Sequence, residues 1–194
     1  MNENLAYKDE PYREPWREEL IAGKLVAMAP ASMFHIFITS NIYFVFATYL
    51  RDKSCTPIAD GAAVYLTDNH RFIPDFMIVC DPNKIRPNGV HGTPDLVVEV
   101  LSPSTARRDR GQKKEIYERC GVKEYWLVNP RDKSVEQNIL TDGRYQIRGI
   151  YTLYTNKEIE EMTLEDSAAV ITEFQCSLYD DLIIRLEDIF RRVP

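Results

Sequence analysis

Two apolar runs frame the centre of the chain: LVVEV inside TPDLVVEVLSPST (93–105) and YWLV inside KEYWLVNP (123–130). Between them lies ARRDRGQKKEIYERC (106–120), charged and amphipathic, with Gly121 placed to end it as a helix. Short apolar runs on either side of a helix are the signature of parallel strands joined by a crossover, and such strands are covered on both faces. This constrains the fold most: an all-helical bundle and a simple antiparallel meander are both excluded. Glu99 sits inside the first run. A carboxylate surrounded by apolar side chains costs several kcal/mol unless a cation or hydrogen-bond donors compensate it, roughly as for other buried ions.

The rest of the chain fits around this unit. EELIAGKLVAM reads as a short hairpin turning at Ala22-Gly23, and Ser32 as the N-cap of a long apolar helix running from Met33 to Leu50. That helix is apolar on most sides, so burial against a sheet or a partner subunit is expected. GAAVYLT, FIPDFMIVCDP, SVEQNIL and RYQIRGIYTLY read as strands, with Asp142-Gly143 turning the last pair. Ser104 is the expected N-cap of the crossover helix, and LIIRLEDIFRR ends in a short helix. The expected fold is α/β with a mixed central sheet flanked by helices: residues 1–15 form a polar lead-in and 16–194 a single domain.

Composition narrows the class. With 44% hydrophobic and 28% charged residues, the 194-residue chain has the balance of a globular protein. No apolar run of about 18 residues exists, and the start is polar and acidic, so the expectation is a cytoplasmic protein without membrane contact. The four cysteines (Cys55, Cys80, Cys120, Cys176) form no C-x-x-C pair and are expected as reduced thiols. A net charge of −6 argues against a broad nucleic-acid-coating surface, while ARRDRGQKK leaves room for a local basic patch.

Pro-Asp opens two of the strands, at Pro74-Asp75 and Pro94-Asp95. If these strands pair antiparallel in the central register their separation allows, Asp75 lies across from Glu99 and Val79 across from Asp95. Opposed residues share a face with Cβ atoms about 5 Å apart. Two facing carboxylates raise a pKa or recruit a cation, and an all-oxygen set suits Mg²⁺ or Mn²⁺. Lys113, Ile116, Tyr117 and Cys120 form one helical stripe facing the sheet, whereas Lys114 points about 100° away. Glu99 is therefore compensated by a metal, by Lys113, or by both. Asp95 reads as a strand-opening turn residue bonded to nearby backbone.

The stretches EELIAGKLV, PDFMIV, PDLVVEVLSPST and RRDRGQKKEIYERCGVKEYWLVNP together resemble the Uma-type restriction endonucleases of the PD-(D/E)XK nuclease superfamily. The resemblance implies a nuclease-like core, a metal-binding role for Asp75 and Glu99, and Mg²⁺ or Mn²⁺ as cofactor. Leu101 stands where the superfamily's usual lysine would follow its acid; the lysine on the next helix, Lys113, takes that part. Glu19 matches the acid of the N-terminal motif and His35 a histidine of the first helix, with Gln112 a further accessory position.

The implied activity is metal-dependent hydrolysis of DNA phosphodiester bonds, with Arg107, Arg108 and Arg110 as phosphate contacts and a homodimer to match duplex symmetry. The alternative is a catalytically inactive nuclease-fold module that binds nucleic acid or a protein.

Overall fold

The computed structural model describes residues 17–59 and 61–194. The expected lead-in, 1–15, lies outside the described residues. In chain order the first elements are β1 (Glu18–Ile21), β2 (Lys24–Ala27), α1 (Met33–Tyr49), β3 (Thr56–Ala59), β4 (Val64–Thr67), β5 (His70–Phe72) and β6 (Phe76–Val79). Next come β7 (Ile85–Arg86), β8 (Gly89–His91) and β9 (Leu96–Val100). The crossover is α2 (Ala106–Arg108), a π-helical turn (Asp109–Lys113) and α3 (Lys114–Cys120). It leads to β10 (Glu124–Asn129), β11 (Ser134–Thr141) and β12 (Arg144–Thr152), then α4 (Asn156–Glu160), α5 (Leu164–Ala168), β13 (Glu173–Gln175), β14 (Ile183–Arg185) and α6 (Leu186–Ile189).

The main sheet has the order β12-β11-β10-β9-β6-β3. Its centre is the parallel pair β9–β10 joined through the crossover helix, and β6 runs antiparallel to β9 with Phe76 opposite Val98 and Met77 opposite Val97. That is the register that sets Asp75 across from Glu99. The sheet is mixed, as its sequence pattern requires.

A second six-stranded sheet, β2-β1-β5-β4-β8-β7, replaces the single sheet expected. Pro74 has no amide hydrogen, so the ladder cannot run on from β5 into β6; the chain changes sheet there, and β5 pairs with β1 and β4 instead. Gly121 ends α3 in the left-handed conformation, φ 84°, and Asp142-Gly143 turns β11 into β12 with φ 52° and 76°. Ser32 caps α1 by accepting the amide of His35. Ser104 does not cap the crossover: the Ser102 hydroxyl takes the amide of Thr105, and Ser104 only bonds that hydroxyl.

Each face of the main sheet carries its own core. On one face α1 presses Ile38, Ile42 and Phe46 against Phe76, Val98 and Trp126, and the C-terminal β13–β14 hairpin and α6 close the layer with Phe174, Ile184 and Ile189. On the other, Ile116 and Tyr117 of α3 meet Met77, Val97, Tyr125 and the second sheet's Phe72 and Val64. The C-terminal hairpin is a separate two-stranded unit, not a part of the main sheet. Among the described residues no helix is long and apolar enough to cross a membrane.

Cys55 and Cys80 correct the expectation of four reduced thiols, for they form a disulfide. Thr56 pairs with Val79, so the two cysteines fall directly opposite one another just beyond the end of the β3–β6 ladder. Cys120 and Cys176 are free thiols.

Candidate active site

The crossover places a lysine among carboxylates. Glu19 comes from β1, Glu99 from the middle of β9, and Asp109 and Lys113 from the π-helical turn. All four are almost completely buried, at 1–3% exposure. A π-helical turn advances more residues per turn than an α-helix, which keeps Asp109, Lys113 and Tyr117 on one sheet-facing side. Lys113 Nζ lies 2.8 Å from Glu19 Oε1, 3.0 Å from Glu99 Oε1 and 3.6 Å from Asp109 Oδ1. Tyr117 donates its hydroxyl to the same Glu99 oxygen at 2.9 Å.

Asp75, one residue before β6, is tied down from two sides. Its Oδ2 accepts the Val100 amide at 2.7 Å, and its Oδ1 lies 2.9 Å from His35 Nε2 in the first turn of α1. Glu19 likewise accepts the Ile73 amide at 3.0 Å, next to the point where the chain changes sheet. Backbone amides thus lock both carboxylates in orientation.

Charge in the cluster is unbalanced. Glu19, Asp75, Glu99 and Asp109 bring four carboxylates; Lys113 sits among three of them, and Arg108 reaches Glu19 Oε2 only at 3.7 Å. Burial holds the Glu99 carboxyl well above the usual range; Lys113 opposes this, while Asp109, Asp75 and Glu19 add to it. Asp109 is raised for the same reasons, burial first. Burial alone would lower the Lys113 pKa, but Glu99, Glu19 and Asp109 outweigh it and push it up, so the ammonium stays charged. Among the described residues Asp109 Oδ1 is buried without a hydrogen-bond partner.

The residues singled out by sequence separate into groups. Asp75, Glu99, Lys113, Glu19 and His35 come together. Arg108 joins them, as a partner of Glu19. Arg107, Arg110 and Gln112 are exposed on the crossover beside the cluster, and Lys114 pairs with Glu136 at 3.0 Å instead. Asp95 lies apart: it accepts the Cys80 amide and pairs with Lys123, both at 2.8 Å. Asp109 escaped the sequence reading, although it extends the Lys113–Tyr117 stripe back by one turn. Among the described residues no three His, Cys, Asp or Glu side chains converge as a complete ligand set.

A model of the Uma2 family, described as "Putative restriction endonuclease", matches residues 5–171. The chain belongs to the Uma2 family. Two curated relatives come from Synechocystis sp. (strain ATCC 27184 / PCC 6803 / Kazusa). "Uncharacterized protein slr1290" is 28% identical over 126 residues, 64% of this chain, and "Uncharacterized protein sll1609" is 26% identical over 117 residues, 58% of this chain. Each match spans 66% of the relative, just under two thirds of its length. A solved structure from Anabaena variabilis ATCC 29413, titled as a putative nuclease belonging to DUF820, shares the fold with a TM-score of 0.67. It is 16% identical and the match covers 89% of both chains. The likeness extends to the fold of this chain, in which the cluster joins Glu19 of the second sheet to Glu99 of the main sheet.

Proposed function

We propose that this chain is a metal-dependent endonuclease that hydrolyses DNA phosphodiester bonds at the Glu19–Asp75–Glu99–Lys113 cluster. The observation that carries the reading is the excess of buried carboxylate around a single lysine, in a chain of the Uma2 family. Such an excess is costly in a protein that never meets a further cation.

The donors fit a hard divalent ion. All are carboxylate oxygens, Asp109 Oδ1 is buried with no hydrogen bond and only the longer ion pair to Lys113, and Mg²⁺ is commonly held by one or two carboxylates with water and substrate phosphate completing its shell. Asp75 and Glu99 would hold it, with Glu19 as the further acid. Bound there, a divalent ion supplies Lewis acidity and an acidified water. The Lys113 ammonium, already charged, offsets negative charge developing on the phosphoryl group or orients the attacking water; it is not the base. His35, whose side chain is 18% exposed, holds Asp75 in position from α1. Arg107 and Arg110, exposed on the crossover, contact backbone phosphates, so their loss weakens DNA binding evenly across sequences and flattens its salt dependence. A homodimer would present two such centres to the two strands.

One observation favours the second reading, a nuclease-fold module without catalysis: Lys113 bonds its carboxylates directly, and among the described residues no three ligands converge. The two readings part on cation binding. In the first, Mn²⁺ or Mg²⁺ raises the melting temperature of the wild type and not of Asp75→Asn, and plasmid is nicked in the same buffer. In the second, neither ion shifts melting and plasmid stays intact, while DNA or a protein is still bound.

A further inference from the structure

The 17 residues of α1, MFHIFITSNIYFVFATY, include no Asp, Glu, Lys or Arg. Ile38, Ile42 and Phe46 are buried in the core, yet Met33, Phe34, Ile36, Tyr43 and Phe44 are exposed, Phe44 at 68%. Met33, Ile36, Ser40, Phe44 and Ala47 recur at helical spacing down the outward side, with Tyr43 flanking them, while Phe37 packs partly against the core. A solvated helix face ordinarily carries charge; this one carries aromatic and Met side chains and nothing ionic, the composition of an interface centre.

We infer that this face of α1 is a two-fold interface with a second copy of the chain, the two α1 helices packing antiparallel about Ser40. The pattern is self-complementary. An antiparallel pairing centred on Ser40 sets Phe44 against the partner's Ile36, Met33 against the partner's Ala47, and the small Ser40 against itself, so the helices approach at the small central residue while apolar side chains pack on either side of it. A two-fold contact requires this reciprocity. A recess of about 240 Å³ lined by His35, Ile36, Thr39, Ser40, Tyr43 and Ala59 lies beside the seam. It is smaller than the roughly 300–1,000 Å³ of small-molecule sites and suits a single aromatic ring, which the partner's Phe44 provides.

The area agrees. The five exposed side chains leave on the order of 500 Å² of apolar surface per protomer, taking 150–250 Å² for each large side chain. Two such faces bury about 1,000 Å², the lower bound for a specific interface, so a dimer of micromolar strength is expected. His35 lines the recess, which places the interface next to the Asp75 end of the cluster. The proposal shares with the nuclease reading only the expectation of a dimer; solution mass tests it without any cleavage assay.

The experiment is sedimentation equilibrium of the full chain from 1 to 100 μM (an order-of-magnitude range around the expected Kd), beside Phe44→Glu and Ile147→Glu. Ile147 is exposed on β12 and serves as the control. The wild type and Ile147→Glu should dimerise, and Phe44→Glu should weaken association about a hundredfold or more, with an unchanged circular dichroism spectrum. Ser40→Cys should form a covalent dimer under oxidation, beyond any formed by the wild type. A wild type that stays monomeric throughout the range, or a dimer indifferent to Phe44→Glu, overturns the inference. So does a dimer that Ser40→Cys fails to trap.

Discussion

Replacing Lys113 by Met removes the buried cation and leaves Glu19, Glu99 and Asp109 facing one another. Breaking a buried ion pair from one side costs about 3–5 kcal/mol. Here the cost depends on pH in a direction the cluster fixes. Glu99 and Asp109 already have raised folded pKa values, and Lys113 is what restrains the rise. Without it both climb further above their ordinary values in the unfolded chain. Between the unfolded and folded values the folded state holds more protons, so stability falls as pH rises, by up to about 1.4 kcal/mol per unit for each such carboxyl. The Lys113→Met deficit should therefore be smallest at the acid end, where these carboxyls are protonated in both proteins, and grow as pH rises. Urea unfolding in EDTA at several pH values, followed by circular dichroism beside the wild type, measures it. A deficit of equal size at every pH, or none at the alkaline end, refutes the electrostatic account of the cluster.

Three other perturbations test the structure around that centre. Reducing the Cys55–Cys80 bond, which spans 25 residues of sequence, should cost about 3 kcal/mol and lower Tm by about 5–10 °C; Cys55→Ser should melt where reduced wild type does. Glu124 is wholly buried without a cation: its oxygens accept Trp126 Nε1, Gln137 Nε2 and both the amide and hydroxyl of Ser177. Glu124→Leu should cost about 3 kcal/mol or more and speed hydrogen exchange in 173–185 ahead of the main sheet. Asp109→Asn removes a carboxylate whose ionisation is disfavoured, so the metal-free variant should be more stable than wild type at pH 8 and yet less active, an exchange of stability for function read by urea unfolding and plasmid nicking.

The sequence made the centre of this fold legible because long apolar runs have few ways to pair. The crossover helix required β9 and β10 to be parallel, and the central register supposed for the two Pro-Asp strands is the one the structure adopts, bringing Asp75 opposite Glu99. Helical phase favoured Lys113 over Lys114 without deciding between them, and in the structure Lys113 turns inward while Lys114 pairs with Glu136. The second sheet was not: its strands run to 2–4 residues, too short for an alternation to register, and its existence turns on where Pro74 breaks the ladder. The disulfide stayed hidden because nothing local reveals that β3 pairs with β6. Asp109 was missed for another reason: in RRDRG it reads as one charge among many on a solvated helix, although it lies one turn before Lys113 on the same stripe. The exposed side of α1 was half legible: its apolar character was evident, but which face the core would claim was not.

The central claim is that these buried carboxylates and their lysine constitute a nuclease centre, and cleavage of supercoiled plasmid tests it most directly. Wild type should nick and linearise plasmid in Mg²⁺ or Mn²⁺ and not in EDTA. Asp75→Asn and Lys113→Met should lose at least about a hundredfold in rate, which corresponds to about 2.7 kcal/mol of transition-state stabilisation. Gln112→Ala, exposed on the same crossover, should change the rate far less. Intact plasmid with wild type in both ions, or nicking that persists undiminished in Asp75→Asn and Lys113→Met, would contradict the account.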